Sequence, residues 1–160
     1  MSTSIIYLAL GTNLGDRAGN LSSAIGALPP AVEVLEESPV YETLPWGVTD
    51  QPAFLNMVLC GRTFLTPQAL LAYLKELEIR LGRLPSKRYG PRKIDIDILF
   101  HGDLILETPA LTIPHPHLQE RAFVLVPLAD LAPELIHPVL GKSVRLMLEA
   151  VDRSGVKRYG

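Results

Sequence analysis

The stretch Ile94-Asp95-Ile96-Asp97-Ile98-Leu99-Phe100 alternates acidic and branched apolar residues. In a β-strand, residues i and i+2 point to the same side and the chain rises about 3.3 Å per residue, so Asp95 and Asp97 are predicted to share one face, about 6 to 7 Å apart. The isoleucines then fill the opposite face. Because two like charges on a half-buried strand repel each other, such a pair normally requires a cation beside it.

A basic segment leads directly into this strand. From residue 80 to residue 93 it contains no acidic residue and six basic ones: Arg80, Arg83, Lys87, Arg88, Arg92 and Lys93. One or two carboxylates together with phosphate oxygens are the usual way in which proteins hold Mg²⁺. The junction therefore predicts a site for Mg²⁺ and a phosphate-bearing ligand. The alternative is a one-sided strand whose acidic face is simply solvated.

Composition narrows the class of protein. The chain has 160 residues, 48% of them hydrophobic and 20% charged, with a formal net charge of −2, which predicts a single soluble domain over residues 1–160. Proteins that bind nucleic acid non-specifically are strongly basic overall, so positive charge confined to one segment favours a small anionic ligand. The single cysteine, Cys60, and an apolar stretch at Ile5–Leu10 too short for a signal core or a membrane span predict a cytoplasmic protein.

The pattern of apolar residues and turn residues predicts the order strand, helix, strand, strand, helix, strand. The predicted elements are a strand at Ile5–Leu10, a helix from Asp16 to before Pro29, extended elements at 32–36 and 40–43, a strand at 54–60, a helix from Thr66 to Gly82, and the acidic strand. This order is that of a ferredoxin-like α+β fold, an antiparallel sheet packed with helices. Gly102-Asp103 is predicted to turn the acidic strand into a hairpin with residues 104–106, and helices at 120–132 and 141–151 form a C-terminal extension.

Ordered motifs along the chain carry a family resemblance. The segment from Arg88 to Phe100, followed by Leu111-Thr112-Ile113-Pro114-His115, resembles the signature of the 6-hydroxymethyl-7,8-dihydropterin pyrophosphokinase family. Further matching segments, over about residues 5 to 140, are Gly11–Gly15, Tyr41–Thr43, Asp50–Asn56, Arg121–Phe123 and Pro133–Glu134.

The resemblance implies an ATP-dependent diphosphokinase of folate biosynthesis. Such an enzyme transfers the β,γ-diphosphate of ATP, its co-substrate, to the hydroxymethyl oxygen of 6-hydroxymethyl-7,8-dihydropterin and releases AMP. In the family, residues matching Asp95 and Asp97 bind two Mg²⁺ ions. Positioning and charge neutralisation do most of the work in phosphoryl transfer, which suits this set of residues. We expect a monomer that binds neither nucleic acid nor membrane.

The resemblance also implies a role for individual residues. The implied catalytic residues are Arg83, Arg92, Asp95 and Asp97. The implied ATP-binding residues are Glu78, Arg83, Arg92, Ile98, Thr112, His115 and Arg121. The implied pterin-binding residues are Thr43, Leu44, Trp46, Phe54, Asn56, Tyr89 and Phe123. Aromatic faces and one amide suit a flat ring with a donor and acceptor edge. Without the family, both phenylalanines would be assigned to the core, and Asn56 could equally be a structural amide.

Other classes of protein remain as alternatives. An RNA-binding module shares the ferredoxin-like fold but requires aromatic residues on its central strands in a basic context, and only 6% of this chain is aromatic. A regulatory domain that binds a small molecule without catalysis would not require the paired aspartates. A zinc site at His115-Pro116-His117 has no further ligands nearby in the sequence, and Gly141-Lys142-Ser143 lacks the upstream glycine of a P-loop.

Overall fold

The computed structural model of the chain describes residues 2–43, 52–82 and 93–160. The strands in these ranges are β1 (Ser4–Thr12), β2 (Val32–Glu37), β3 (Tyr41–Thr43), β4 (Phe54–Thr63), β5 (Asp95–His101), β6 (Leu106–Glu107), β7 (Thr112–Ile113) and β8 (Val156–Arg158). The helices are α1 (Arg17–Ala27), α2 (Pro67–Arg80), α3 (Ala122–Leu131) and α4 (Val144–Glu149), with a short 3₁₀ turn at Leu118–Glu120.

The two long N-terminal helices begin and end where the sequence predicts. The Asp16 carboxylate caps α1 by accepting a hydrogen bond from the Gly19 N–H at 3.1 Å. The Thr66 hydroxyl caps α2 by accepting from the Ala69 N–H at 3.2 Å, with Pro67 at the first helical position. After α2, Gly82 adopts a φ of +95°, a conformation that favours glycine and terminates the helix.

The main sheet has the strand order β5-β1-β4-β3-β8, and β2 also pairs with β4. Each of these pairs is antiparallel. The predicted α+β class, an antiparallel sheet packed with helices, is confirmed, and the strand order is compatible with the ferredoxin-like arrangement.

Each face of the sheet packs against a different pair of helices. On one face, Leu21 of α1 and Leu74 of α2 belong to a buried cluster with Leu8 of β1 and Ile96 of β5. On the other face, residues of α3 and α4 form a second buried cluster with Val58, Leu99 and Phe100. Because successive strand residues point to opposite faces, a side chain two positions from Val58 projects toward the α3 side.

The predicted hairpin after β5 is wrong. The turn at Gly102-Asp103 forms, with Gly102 at a φ of +58°, but the next strand, β6, pairs with β7 rather than with β5. Contacts distant in the sequence occupy the outer edge of β5 instead. The Leu99 carbonyl accepts a hydrogen bond from the His115 N–H at 3.0 Å, and the Ile96 N–H donates to the Glu78 carboxylate at 2.7 Å.

The C-terminal extension differs in detail from the prediction. The helix predicted over 141–151 is confined to α4, which begins after Ser143, whose hydroxyl accepts from the Leu146 N–H at 3.1 Å. The strand β8 was not predicted, since three residues of which two are charged give no strand signal. It pairs with β3 and places Arg158 opposite Tyr41.

Candidate active site

A row of four residues crosses the sheet and places two of the predicted site residues, Asp95 and Asn56, on one face. Asp95 lies opposite Gly11, Gly11 opposite Asn56, and Asn56 opposite Tyr41. Residues directly opposite each other in antiparallel strands project to the same face. Because Asn56 is two residues from Val58, this face is the one covered by α3, and we call it the site face.

The two aspartates, here called the acid pair, lie as the alternation predicts. Asp95 and Asp97 are half-buried on the site face, and Asp97 lies opposite Ala9 of β1. The isoleucines at 94, 96 and 98 are each at most 4% exposed and belong to the opposite cluster. The shared face inferred for the two carboxylates is therefore confirmed.

The surroundings of the acid pair disfavour the charged form of Asp97. Burial, and after it the neighbouring Asp95 carboxylate, raise the pKa of Asp97 to about 6, against the lowering effects of Lys75 and Arg121. Within the described ranges, no group of three or more His, Cys, Asp and Glu side chains could hold a metal ion. Two carboxylates alone fit Mg²⁺, which usually completes its coordination with water and phosphate oxygens.

Glu78 supports the strand that carries the acid pair. Its side chain is 1% exposed, and its Oε2 atom accepts the hydrogen bond from the N–H of Ile96, the residue between the two aspartates. Lys75, one turn earlier on α2, places its Nζ atom 3.6 Å from Glu78 Oε1. The sequence resemblance implies an ATP contact for Glu78; the structure places one of its oxygens on the backbone of β5.

His115 is held in one tautomer. Its Nδ1 atom accepts a hydrogen bond from the His117 N–H at 3.2 Å, so the ring proton of the neutral form lies on Nε2. Burial, and after it the charge of Arg121, lower the pKa of His115 to about 4. The ring is thus a neutral N–H donor at physiological pH. Arg121 also lies beside Phe123, with its guanidinium carbon 5.7 Å from the ring centroid.

Gly11, Asn56 and Phe54 lie side by side on the site face, and the position at Gly11, where no side chain projects, is here called the amide recess. The Asn56 Nδ2 atom donates to the Thr43 hydroxyl at 2.8 Å, and Thr43 lies opposite Phe54. A Cβ atom at Gly11 would lie 3.0 Å from Asn56 Oδ1 and 3.8 Å from the Phe54 ring. A side chain at position 11 would therefore crowd the amide oxygen and contact the ring, and glycine avoids this.

The remaining predicted site residues fall into two groups. Thr112 lies in β7, and the Ile98 side chain is buried in the cluster with α1 and α2, which leaves only its main chain toward the site. The predictions for Leu44, Trp46, Arg83, Tyr89 and Arg92 lie outside the described residues.

The sequence analysis did not assign a role to several residues near the site. Gly11 carried a signal, since a glycine inside an apolar strand often marks a close approach. For Lys75 the sequence signal was weaker: it lies three residues before Glu78 on α2, a spacing that allows the two side chains to pair. Tyr41, whose hydroxyl donates a hydrogen bond to the Asp130 carboxylate on α3, gave none, because the two residues are far apart in the sequence.

Two carboxylates on one strand face, with the cations Lys75 and Arg121 nearby, suit an enzyme that acts on a phosphate-bearing substrate with Mg²⁺. The chain matches, over residues 7–133, the family model for 7,8-dihydro-6-hydroxymethylpterin-pyrophosphokinase (HPPK). The chain belongs to this family.

Individual relatives agree with this assignment. The chain is 44% identical to a 2-amino-4-hydroxy-6-hydroxymethyldihydropteridine pyrophosphokinase of Methylorubrum extorquens, over 95% of this chain and 96% of the relative. It is 42% identical to the protein of the same name from Aquifex aeolicus, over 88% of each. Its fold is similar to that of a Plasmodium falciparum HPPK-DHPS crystal structure, with a TM-score of 0.78 at 20% identity. The match covers 98% of this chain but only 49% of that longer one.

We expect Glu78→Ala to destabilise the protein by about 1 to 3 kcal/mol, because the buried Ile96 N–H loses its acceptor. Urea unfolding monitored by circular dichroism measures the change. Glu76→Ala, an exposed glutamate on the same helix, is the matched control and should change the free energy of unfolding by less than about 0.5 kcal/mol. Equal effects of the two substitutions would contradict the role assigned to the Ile96 contact.

We expect the His115 ring to titrate near pH 4 and to carry its proton on Nε2 above that pH. Because its pKa in the folded protein lies below the ordinary value of 6.5, the unfolded chain binds the proton more readily. The contribution of the neutral ring to stability is therefore complete above about pH 6.5 and is lost as the pH falls toward 4. A ¹H–¹⁵N NMR titration of the histidine rings measures both properties; a midpoint near 6.5 would refute the prediction.

Proposed function

We propose that this chain catalyses its family's reaction at the site face, transferring diphosphate from ATP to the hydroxymethyl group of 6-hydroxymethyl-7,8-dihydropterin. The products are AMP and the pterin diphosphate, an intermediate of folate biosynthesis. The observation that carries the proposal is the row in which Asp95 and Asn56 flank Gly11. One residue type suited to a metal and phosphate and another suited to a pterin edge lie on one face, on the two strands that flank β1.

The spacing of the row suits a transfer between two bound substrates. Neighbouring strands are about 4.8 Å apart, so β4 and β5, which flank β1, are separated by roughly 10 Å. A bicyclic ring held at one edge by Asn56 would extend its hydroxymethyl group from the opposite edge toward the acid pair. Fixing both substrates in this way removes translational freedom from the reaction, which is the main source of rate enhancement available to the protein.

The acid pair would hold Mg²⁺, and we propose two ions. When bound, the metal supplies neutralisation of the triphosphate and polarisation of the attacking hydroxyl and the attacked phosphate. The protein contributes the fixed separation of Asp95 and Asp97 on one strand, and the support of that strand by Glu78. Since burial and mutual repulsion raise the pKa of Asp97, its carboxylate is poised to gain from a cation.

The nucleotide side of the site would combine neutral and charged donors. His115 offers its Nε2–H, and Arg121 at the start of α3 offers a permanent charge. The proposed ATP contacts also include Thr112, Glu78, the Ile98 main chain, Arg83 and Arg92. A neutral histidine keeps its hydrogen-bonding role constant across physiological pH, whereas the arginine can stabilise charge that develops on the leaving phosphate.

The pterin side would use the amide recess. Phe54 and Phe123 are both partly buried on the site side of the sheet, where they can offer aromatic faces to a flat ring. Asn56 and Thr43 supply the polar edge, and the proposed contacts include Leu44, Trp46 and Tyr89.

Within the described ranges, no helix is long and apolar enough to cross a bilayer. The proposal includes a single domain over residues 1–160 that acts as a cytoplasmic monomer without nucleic acid.

Asp95→Asn and Asp97→Asn should each lower kcat by more than about 100-fold, since each removes a metal ligand worth several kcal/mol in the transition state. Release of AMP from ATP, with and without the hydroxymethyl pterin, measures the reaction. Asp103→Asn, in the exposed turn after β5, is the control and should leave kcat unchanged. Retention of wild-type kcat in either variant of the acid pair would refute the metal assignment.

Asn56→Ala should weaken pterin binding by about 10- to 100-fold while leaving nucleotide binding nearly unchanged, because the polar edge of the ring would be buried without a partner. Titration calorimetry with a non-hydrolysable ATP analogue, and then with pterin added to that complex, separates the two affinities. Equal losses for both ligands would show that Asn56 is only a structural amide.

A further inference from the structure

Arg17, the first residue of α1, joins two strands beside the amide recess. Its Nη1 atom donates to Glu42 Oε2 at 2.7 Å and to the Ala53 carbonyl at 2.9 Å. The side chain is 24% exposed, so the contact with the carboxylate is partly shielded from water. Asn13, shortly before α1, donates its Nδ2–H to the adjacent carbonyl of Pro52 at 3.0 Å.

These contacts lie immediately next to the pair formed by Thr43 and Phe54. Glu42 precedes Thr43 in β3, and Ala53 precedes Phe54 in β4, so a single nitrogen links the two strands at the point where they begin to pair. Because successive strand residues alternate in direction, the Glu42 side chain points to the face opposite Thr43. Arg17 therefore acts from the α1 side, behind the site face.

The C-terminal segment fixes the guanidinium itself. The Tyr159 ring lies against Arg17, with the guanidinium carbon 5.5 Å from the ring centroid. The Tyr159 N–H donates to the Val40 carbonyl at 2.9 Å, which ties this ring to the residue just before β3. An arginine held by a carboxylate, a carbonyl and a ring has little rotational freedom left.

We propose that Arg17 is a positioning residue for the pterin side of the site. By joining Glu42 to Ala53, it fixes Thr43 opposite Phe54. The Thr43 hydroxyl in turn fixes the Asn56 amide, through the hydrogen bond of 2.8 Å. The effect of Arg17 on the pterin reaches the ligand only through these residues. The inference rests on the proposed function, since it assigns a consequence for the pterin and not for the nucleotide.

The test compares Arg17→Ala and Arg17→Lys with the wild-type enzyme by steady-state kinetics in both substrates. Arg17→Ala should raise KM for the pterin by about tenfold, the effect of losing one hydrogen bond to a charged group, with KM for ATP changed less than twofold. Arg17→Lys keeps the charge but loses the planar fork, so it should recover only part of the effect. Arg62→Ala is the matched control, because Arg62 pairs with Glu33 at 3.0 Å on the same sheet, and it should leave both KM values unchanged.

An NMR measurement that does not depend on catalysis distinguishes the positioning role of Arg17 from the proposed function. In a ¹H–¹⁵N spectrum, the Asn56 side-chain NH₂ signals should shift in Arg17→Lys and in Glu42→Gln but not in Arg62→Ala. Equal increases of KM for both substrates, or an unchanged KM for the pterin, would overturn the positioning role. If Arg17→Ala does not fold, the Arg17→Lys and Glu42→Gln variants test the positioning role instead. Unchanged Asn56 signals in both variants would overturn that role. Absence of diphosphate transfer in the wild type, with the Asn56 signals shifted as expected, would instead refute the proposed function alone.

Discussion

The antiparallel pairing of β1 with β5 on one side and β4 on the other is the constraint from which the site follows. Because side chains alternate along a strand, slipping β5 by one residue would place Ile96 opposite Gly11 and turn both aspartates into the apolar cluster under α1 and α2. The slip is unfavourable because it would move the buried isoleucines out of that cluster. The hydrogen bond from the Ile96 N–H to Glu78 opposes it as well, since it is made in one register only.

The site face is positioned largely from the opposite side of the sheet. Glu78 from α2 holds the backbone between the two aspartates, and Arg17 from α1 joins the strands that carry Thr43 and Phe54. The Glu78 side chain is buried and the Arg17 side chain is partly shielded from water, so the loss of either hydrogen-bond partner is costly. The helices α1 and α2 complete the core opposite the site face. In addition, α2 fixes the strand of the acid pair and α1 fixes the strands beside the amide recess.

The sequence predicted the parts of this structure that depend on local periodicity. The alternation of Ile and Asp placed the acid pair, and caps at Asp16 and Thr66 placed α1 and α2, because these signals lie within a few residues of each other. The hairpin after β5 failed for the opposite reason. The edge of β5 where the second strand of the hairpin would pair is occupied by Glu78 and by the backbone of His115, which are distant in the sequence. The roles of Arg17 and Tyr41 were invisible for the same reason.

The two interpretations of Asn56, as a structural amide and as a ligand contact, describe different atoms of one side chain. Its Nδ2 is bound to the Thr43 hydroxyl, which is the structural role, and this bond turns Oδ1 toward the space beside Gly11. The recess therefore presents the Oδ1 acceptor to a ligand that lies beside Gly11. A pterin carries amino and ring N–H groups along one edge, so an acceptor fixed in this orientation suits that edge. A ring offering only acceptors there would face the Oδ1 lone pairs without a proton between them, and would be rejected by the cost of burying both groups unpaired.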